Sequence, residues 1–508
     1  WRRLGRVLLH AGLAWLLLWA GLVMVAAMVL PRIHWQADAV GQWLGERAGM
    51  PVAVRSVQAH WTRRGPVLQL DGLALGEGGL VQVGRAQLLL AVYTGLLPGH
   101  ALSQIQLQGL DLTLRRDGDG RWQVSGLGGS DGQGDPLDAL ARLGEVQLSA
   151  ARLHVEAPEL GMQRSIERVD LRVRVSGDRL RAGLRGWISQ DATPLLAVVD
   201  IDRNQGRGRV WARAQPQLLT AWQSVLGFDG VSVTAGNGQA QLWAELDRWR
   251  LERATLGAQL AAVQLSASHG LGHRIENLKV LARWQRQADG WQLTVPTLQI
   301  DGEVMDRLQV RQGEVLQVRS PAFSAGPWLQ LLALSDRVPL STRRWLQAAR
   351  PQVQVGAVHW QGDPSGHWRG SAQLNEVAFA SVGGAPGLSG LGGSLEADAH
   401  GMAVRLDPAR KARLDWPRGF GVEHLLHLDG EIALWPQGGG WHVGTSALRV
   451  DGTDYAAWIR GGAEFQGDGS RPKLNLAAAL DDAPITAARR FWIRSMMSPG
   501  AIAWLDEA

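Results

Sequence analysis

The chain has 508 residues, 45% of them hydrophobic and 19% charged, with a net charge of +5 and no cysteine. So much apolar content with so little net charge excludes a disordered chain, and the length allows about three or four ordinary domains or one long repetitive one. The missing cysteine excludes a disulfide framework, thiolate metal sites and a cysteine nucleophile. Lysine occurs only at Lys279, Lys411 and Lys473, so 49 of the 52 basic residues are arginine, yet no basic run of five exists. Scattered surface arginine, with no nucleic-acid partner, is the reading of that balance.

The N-terminal stub Trp1-Arg2-Arg3-Leu4-Gly5-Arg6 is basic, and Val7 to Leu30 is an apolar run of 24 residues broken only by His10 and small glycines. As a helix that run is about 36 Å long against a hydrocarbon core of about 30 Å. A cleaved signal peptide is the competing reading, with Ala26-Ala27 as a cleavage point, but its apolar region would be about 7–15 residues. Arginines on the N-terminal side place that end in the cytoplasm, which puts the rest of a bacterial chain in the periplasm behind a single-pass inner-membrane anchor. The chain begins with Trp1 and ends inside a helical stretch at Ala508, so a fragment of a longer protein is expected.

Residues 38–48 carry helical spacing at Val40, Trp43 and Leu44, closed by Gly49 and Pro51. Beyond them alternation of period two dominates, as in Val52-Ala53-Val54, Val67 to Leu70, Val81 to Val83 and Val169 to Val175, with turn-rich breaks such as 117–120 and 204–206. One pattern recurs: Leu68, Leu70, then Gly72, then Leu73 and Leu75 on the opposite parity. Ile105, Leu107, Gly109, Leu110 and Leu112 repeat it, as do Val146, Leu148, Ala150-Ala151 and Leu153, and Leu374 to Phe379 is a fainter copy. The first three copies are 37 and 41 residues apart, counted between Leu70, Leu107 and Leu148. A parity change would turn every later side chain to the wrong face unless a bulge absorbs it, and a small residue at the slip suits a bulge. The pattern fits a quasi-repeat that curves a sheet, and it fits ordinary hairpins in an antiparallel sandwich.

Glycine followed by tryptophan at a strand start also recurs, at Trp122, Trp291, Trp368 and Trp441. Such a tryptophan packs over a sheet end or stands at the rim of a lipid-holding groove. Helices are expected at 216–226, 328–349 and from Ile485 onward, and Pro321 and Pro351 bracket the best internal boundary. The glycines of 383–393 read as a loop.

Chemistry-bearing motifs are scarce. There is no phosphate loop, nucleophile elbow or His-Glu-x-x-His. His269 and His273 have metal-like spacing but are separated by glycines and lack a third ligand. His424 and His427 lack partners, and Asp117 and Asp119 begin a calcium-like loop whose twelfth position is Gly128. Asp200/Asp202 and Asp481/Asp482 carry no acid–base geometry. The expectation is a non-enzyme with no metal and no cofactor.

What remains is a long alternating sheet. Some 450 residues in strands of about ten with turns of about four give around thirty strands, or about 150 Å of sheet, which must curl or split. A curled sheet with an apolar concave face is a trough for acyl chains, at about 0.8 kcal/mol per buried methylene. The other use of that face is closure into sandwiches with no ligand.

Several stretches resemble one family. The basic stub and span, Trp43 to Val52, Val57-Gln58-Ala59-His60-Trp61 and Pro66 to Leu75 resemble the N-terminal region of YhdP-family proteins of Gram-negative bacteria. That family belongs to the AsmA-like superfamily, is related to TamB and is distantly similar to eukaryotic bridge-like lipid carriers. Phe491-Trp492-Ile493 and Ala503 to Glu507 resemble the helix before its central region. The resemblance implies a mainly β fold: an N-terminal transmembrane helix, then an elongated, curled antiparallel β-sheet groove with a few short helices. The expected divisions are 1–32 (stub and span), 33–320 (groove), 321–351 (helical element), 352–484 (groove continued) and 485–508 (terminal helix). It also implies passive conduction of phospholipid towards the outer membrane, with the inner membrane and outer-membrane or periplasmic proteins as partners. The groove candidates are Leu68, Leu70, Leu73, Leu75, Ile105, Leu107, Leu110 and Leu112. The alternative is a periplasmic scaffold assisting outer-membrane protein or envelope glycan assembly.

Overall fold

A computed structural model describes residues 2–32, 36–48, 51–75, 81–90, 92, 103–116, 122–125, 144–157, 162–188, 193–216, 219–222, 230–267, 270–437, 440–466, 473–493 and 497–507. The fold is mainly β, with 64% of residues in strands. Chain contacts divide it into two compact units, Trp1–Ser224 with Gln239–Glu252, and Val225–Gly238 with Arg253–Ala508. The proline-bracketed helical stretch therefore lies within the second unit.

Helix α1, Arg2–Val29, has 28 residues and spans about 42 Å. Its apolar side chains stand in the open, with Trp15 at 67% and Leu18 at 69% exposure. The segment Leu13–Arg32 has a mean hydropathy of 2.5 and, among the described residues, is the one helix long and apolar enough to cross a membrane. Helix α2, Ala37–Ala48, follows as the spacing of Val40, Trp43 and Leu44 predicts.

In the first unit the strands Ser56–Thr62, Gly65–Asp71, Arg85–Leu90 and Ser103–Gln108 pair in sequence, each antiparallel to the next. Strand Glu145–Ala157 then joins in parallel, first along Ser103–Gln108 and then along Asp111–Arg116. This one parallel step departs from a purely antiparallel meander, and the repeated motif explains it. Ile105 faces Val146, Leu107 faces Leu148 and Leu112 faces Leu153, so two copies of the motif lie side by side in register. From there Met162–Ser176, Arg179–Trp187, Leu195–Asp202, Arg207–Ala214 and Val231–Asp247 continue as antiparallel neighbours.

The parity slips at Gly109 and Ala150 are absorbed within the large sheet, and the one at Gly72 sends Leu73–Leu75 into a separate three-stranded sheet with Val52–Ala53 and Val81–Val83. Gly72, Gly109 and Ala150 have φ of 65°, 72° and 51°, the left-handed region that absorbs an extra residue. Ala150's amide, pulled out of the ladder, donates to Asp170 Oδ1 at 2.9 Å, while Gly109 N–H reaches Ser149 O at 3.1 Å. Because each slip turns the chain back, Leu68, Leu70 and Leu73 are buried together, as are Ile105, Leu107 and Leu110. The fainter copy at Leu374 also falls on a register shift, between Leu374 and Val377.

The second unit is a meander from Arg250–Ala267 through Gly272–Gln287, Gly290–Ile300 and Glu303–Gln312 to Lys473–Leu480. The helix expected over 328–349 is two: α3, Gly326–Leu332, and α4, Leu340–Ala349. Pro339, at φ −53° and ψ 141° before α4, lacks the amide that a continuous helix would need. Ala333, Leu334, Leu346 and Ala349 between and within them are buried, and Trp345 meets Phe379 edge-on at 5.4 Å. Of the expected helix at 216–226 only a 3₁₀ turn, Leu219–Trp222, lies among the described residues. The stretch from Ile485 resolves into a 3₁₀ turn, Ile485–Phe491, and α5, Pro499–Glu507.

Candidate functional site

Direct cross-strand partners share a face, so pairing converts the alternation into rows running across the sheet. In the first unit one row reads Val57, Leu70, Ala86, Leu107, Leu148, Leu171, Leu184, Ala197, Ala212, Leu242. Its neighbour, two residues along, reads Ala59, Leu68, Leu88, Ile105, Val146, Val173, Ala182, Val199, Val210, Ala244. Neither row contains a polar residue. The reverse face of the same strands begins with Gln58, Gln69, Gln87, Gln106 and Gln147 in one line.

The second unit carries a longer row: Ala254, Trp284, Leu293, Val310, Val318, Trp360, Gly370, Ala397, Met402, Leu434, Val443, Ala463, Leu474. Thirteen strands contribute, and twelve steps of about 4.8 Å make about 58 Å measured along the sheet. Directly behind it run Arg253, Gln285, Gln292, Arg311, Gln317, Gln361, Arg369 and Asp398. A cavity of about 690 Å³ follows the central part of the row at Val318, Trp360, Gly370, Ala397, Met402 and Leu434. Side chains of this row are half-buried, and Met402 and Leu474 are exposed at 39% and 67%. A closed sandwich would bury them fully.

Glycines shape the floor. A Cβ on Gly362 would meet Trp360 Cη2 at 2.6 Å, and one on Gly370 would meet Trp360 Cδ1 at 3.2 Å. The Trp360 indole thus lies down along the sheet over two glycines instead of standing across the trough. Of the glycine–tryptophan pairs, Trp291, Trp368 and Trp441 each sit two residues from Leu293, Gly370 and Val443 of the row, on the same face and nearer the turn. They line one border, where Trp441 is 49% exposed beside Phe465 at 46%. The Trp122 side chain lies outside the described residues.

Of the predicted candidates, Leu68, Leu70, Ile105 and Leu107 stand at the beginning of the first unit's rows, Leu110 and Leu112 follow the slip at Gly109, and Leu73 and Leu75 belong to the three-stranded sheet. Leu68, Leu70, Leu73, Ile105, Leu107 and Leu110 are buried in a cluster with Leu44 of α2, and Leu112 packs against it. Gly41 lets α2 come close, because a Cβ there would stand 2.8 Å from Val52 O. The apolar surface of these seven leucine and isoleucine side chains is therefore satisfied by protein. Leu75 pairs through its backbone with Val52 and Val81, and its side chain is not among those described. Leu171 still packs against this cluster, and beyond it Leu184, Ala197, Ala212 and Leu242 are half-buried. Sequence reasoning found the motif but not these later positions, which become visible only when register aligns strands that lack the slip.

The polar candidates have structural partners. Asp200 accepts two hydrogen bonds from Arg179, at 2.6 and 2.8 Å, and that guanidinium holds its carboxyl below the ordinary range. Asp202 caps the turn at Asn204 and Gln205, and Asp481 pairs with Arg449. His424 is buried among Phe420, Tyr455 and Phe491, with Nδ1 3.1 Å from Tyr455 Oη and Nε2 3.1 Å from Arg490 O. Burial lowers its pKa. His427 lies in a strand opposite Lys411 and Asp451. Burial also lowers the pKa of His273, while His269 and the 117–119 loop lie outside the described residues. Among the described residues no group of three His, Asp or Glu could hold a metal ion.

An apolar anchor helix, repeated slips and apolar rows backed by polar ones coincide with a match of residues 1–508 to the family described as YhdP protein. The chain belongs to the YhdP family. No curated protein and no solved structure matches it. YhdP is a transport-type family, and the N-terminal helix of this member is consistent with single-pass anchoring.

Proposed function

We propose that this YhdP-family chain is an inner-membrane-anchored lipid-transfer protein of the periplasm. Acyl chains of phospholipid lie against the apolar rows, head groups stay at the tryptophan-lined border, and movement towards the outer membrane is passive. The arginines at positions 2, 3 and 6 keep the N-terminus of α1 in the cytoplasm. The observation that carries this reading is the thirteen-strand row of the second unit, apolar throughout and half-buried with a cavity of about 690 Å³ along it. A monomeric soluble protein rarely leaves so long an apolar strip uncovered. Leu68, Leu70, Ile105 and Leu107 start the rows of the first unit, and lipid contact begins where the buried cluster ends.

A photoreactive phenylalanine analogue at Val318 or Leu434 tests this in the membrane-anchored protein. Phospholipid adducts at both positions, and none at Gln317 on the reverse face, are expected by mass spectrometry. Protein adducts in place of lipid would favour the scaffold role instead.

A further inference from the structure

At the strand ends away from the tryptophan border, the second unit's apolar face is closed by the chain itself. Ala457 shares a face with Ala463 of the long row, because six residues separate them in a strand whose pairing with Lys473–Leu480 keeps one register. Val450 and Leu428 are its successive cross-strand partners, and Leu426, opposite Ala412, and His424 follow at alternate residues. The long row is half-buried, but here Val450, Leu426, Ala412 and His424 are buried. The 3₁₀ turn Ile485–Phe491, which follows the last strand, folds onto this end. Centre to centre, Phe491 lies 5.0 Å from the His424 ring, 4.7 Å from Tyr455 and 5.7 Å from Phe420. Arg490 pairs with Asp454 at 2.9 Å. Within the turn Ala487 is 5% exposed, while Ile485 stands in the open at 89%.

One imidazole ties the turn to the sheet. A carbonyl only accepts, so the 3.1 Å contact with Arg490 O requires hydrogen on Nε2. Nδ1 is then the acceptor, and Tyr455 O–H donates to it at 3.1 Å. Burial raises the pKa of Tyr455, which keeps that hydroxyl protonated. The neutral ring makes both bonds. A second proton would put an N–H on Nδ1 facing the hydroxyl, and a buried cation beside the Arg490 guanidinium. Nearby acids are engaged elsewhere: Asp454 by Arg490, Glu423 by Arg413 at 3.5 Å, with Asp415 opposite Glu423. Among the described residues no carboxylate pairs with the ring.

We propose that Ile485–Phe491 is a pH-sensitive strap, which seals this end of the apolar face at neutral pH and lifts in mild acid when His424 takes up a proton. Its part in lipid access rests on the proposed function, whereas its response to acid rests on the contacts of His424 alone. Burial makes the sealed state bind that proton less well than the lifted one. Sealing therefore weakens as pH falls below about 6.5, by at most about tenfold per pH unit, until the pKa of the sealed state is reached.

The test uses the full chain, which has no cysteine, so one introduced thiol reports on one place. Maleimide labelling of Ala487→Cys is divided by that of the exposed Ile485→Cys, which removes the thiol's own pH dependence. From about pH 7.5 to about pH 5.5 this ratio should rise severalfold, to at most about tenfold. It should stay level with His424→Gln and be high at both pH values with Phe491→Ala. Phospholipid capture by a photoreactive residue at the half-buried Leu428 should rise with the ratio, while capture at Val318 stays constant. A level ratio in the parent, or an equal rise with His424→Gln, overturns the strap. A rising ratio with capture at Val318 but none at Leu428 overturns its part as a seal. No capture at Val318 at either pH removes the proposed function and leaves the strap to be decided by the ratio.

Discussion

A carboxylate placed on the long row should stop lipid movement while leaving the fold standing. Val318 and Leu434 lie five strand steps apart on the row of the second unit, and both line its cavity. One strand spacing of about 4.8 Å passes about four methylenes of an extended acyl chain, each worth about 0.8 kcal/mol when fully buried. Contact on one side only gives about half of that, about 1.5 kcal/mol per strand. A charged side chain must either lose its water, at several kcal/mol, or hold the acyl chain off its own strand and both neighbours, about 4.5 kcal/mol in all. Val318→Glu or Leu434→Glu alone should therefore weaken lipid loading about a thousandfold, and the double variant more. Val318 and Leu434 are half-buried, so the carboxylates reach water in the empty protein and the melting temperature should move by only a few degrees. Transfer of labelled phospholipid between donor and acceptor vesicles, with lipid content by mass spectrometry, gives the readout. Parent-like transfer by a correctly folded double variant would refute the mechanism, and Gln317→Glu on the reverse face should behave as the parent.

Leu70, 1% exposed in the cluster beneath α2, should cost about 2–5 kcal/mol as Leu70→Ala, seen as a lower denaturation midpoint. At the slips the signs oppose: Gly109→Val at φ 72° should destabilise by about 1–2 kcal/mol, and Ala150→Gly at φ 51° should stabilise by up to about 1 kcal/mol. His424 is held neutral by burial, so its folded-state pKa lies below its unfolded one. The unfolded chain then takes up the proton first as pH falls below about 6.5, and stability drops from that point until the folded-state pKa is reached. Melting temperatures across that range should fall more steeply for the parent than for His424→Gln.

The parity change was legible because it is local. Three short copies with a small residue at the slip are enough to predict a bulge, and Gly72, Gly109 and Ala150 all adopt positive φ. The rows were not legible, since they depend on which residues of distant strands meet. Nothing in Gly-His-Trp at 366–368 announces that Trp368 lies beside Trp360, or that Leu434 and Met402 face one another. The parallel step between Ser103–Gln108 and Glu145–Ala157 escaped for the same reason: periodicity reports faces, not direction. Among the sites, the leucines of the repeated motif drew attention because the motif is regular. That regularity serves a core, where α2 requires a fixed surface, whereas the uncovered positions tolerate Ala, Val, Leu, Met or Trp and leave only diffuse alternation.

The cover over the start of the first unit's rows bears on how a lipid would enter. Helix α2 begins eight residues after α1 ends, and its Leu44, with Leu73 and Val83 of the three-stranded sheet, joins Leu68, Leu70, Ile105 and Leu107 in one buried cluster. An acyl chain following those rows from their first strand would have to displace Leu44 and the other thirteen buried side chains of the cluster. Losing even two or three such leucines from their packing costs more than the few kcal/mol that a chain gains per two strands of one-sided contact. On the proposed function, entry would therefore be lateral, across the border of the sheet and beyond Leu171, where contact with the cluster ends. Val57 and Leu184 separate the two routes, because they belong to the same row, are both half-buried, and lie on either side of the point where α2's cover ends. A photoreactive residue at Leu184 should capture phospholipid, and one at Val57 should capture only protein. Lipid adducts at Val57 as strong as those at Leu184 would mean that α2 lifts, and that the sealed end is a door.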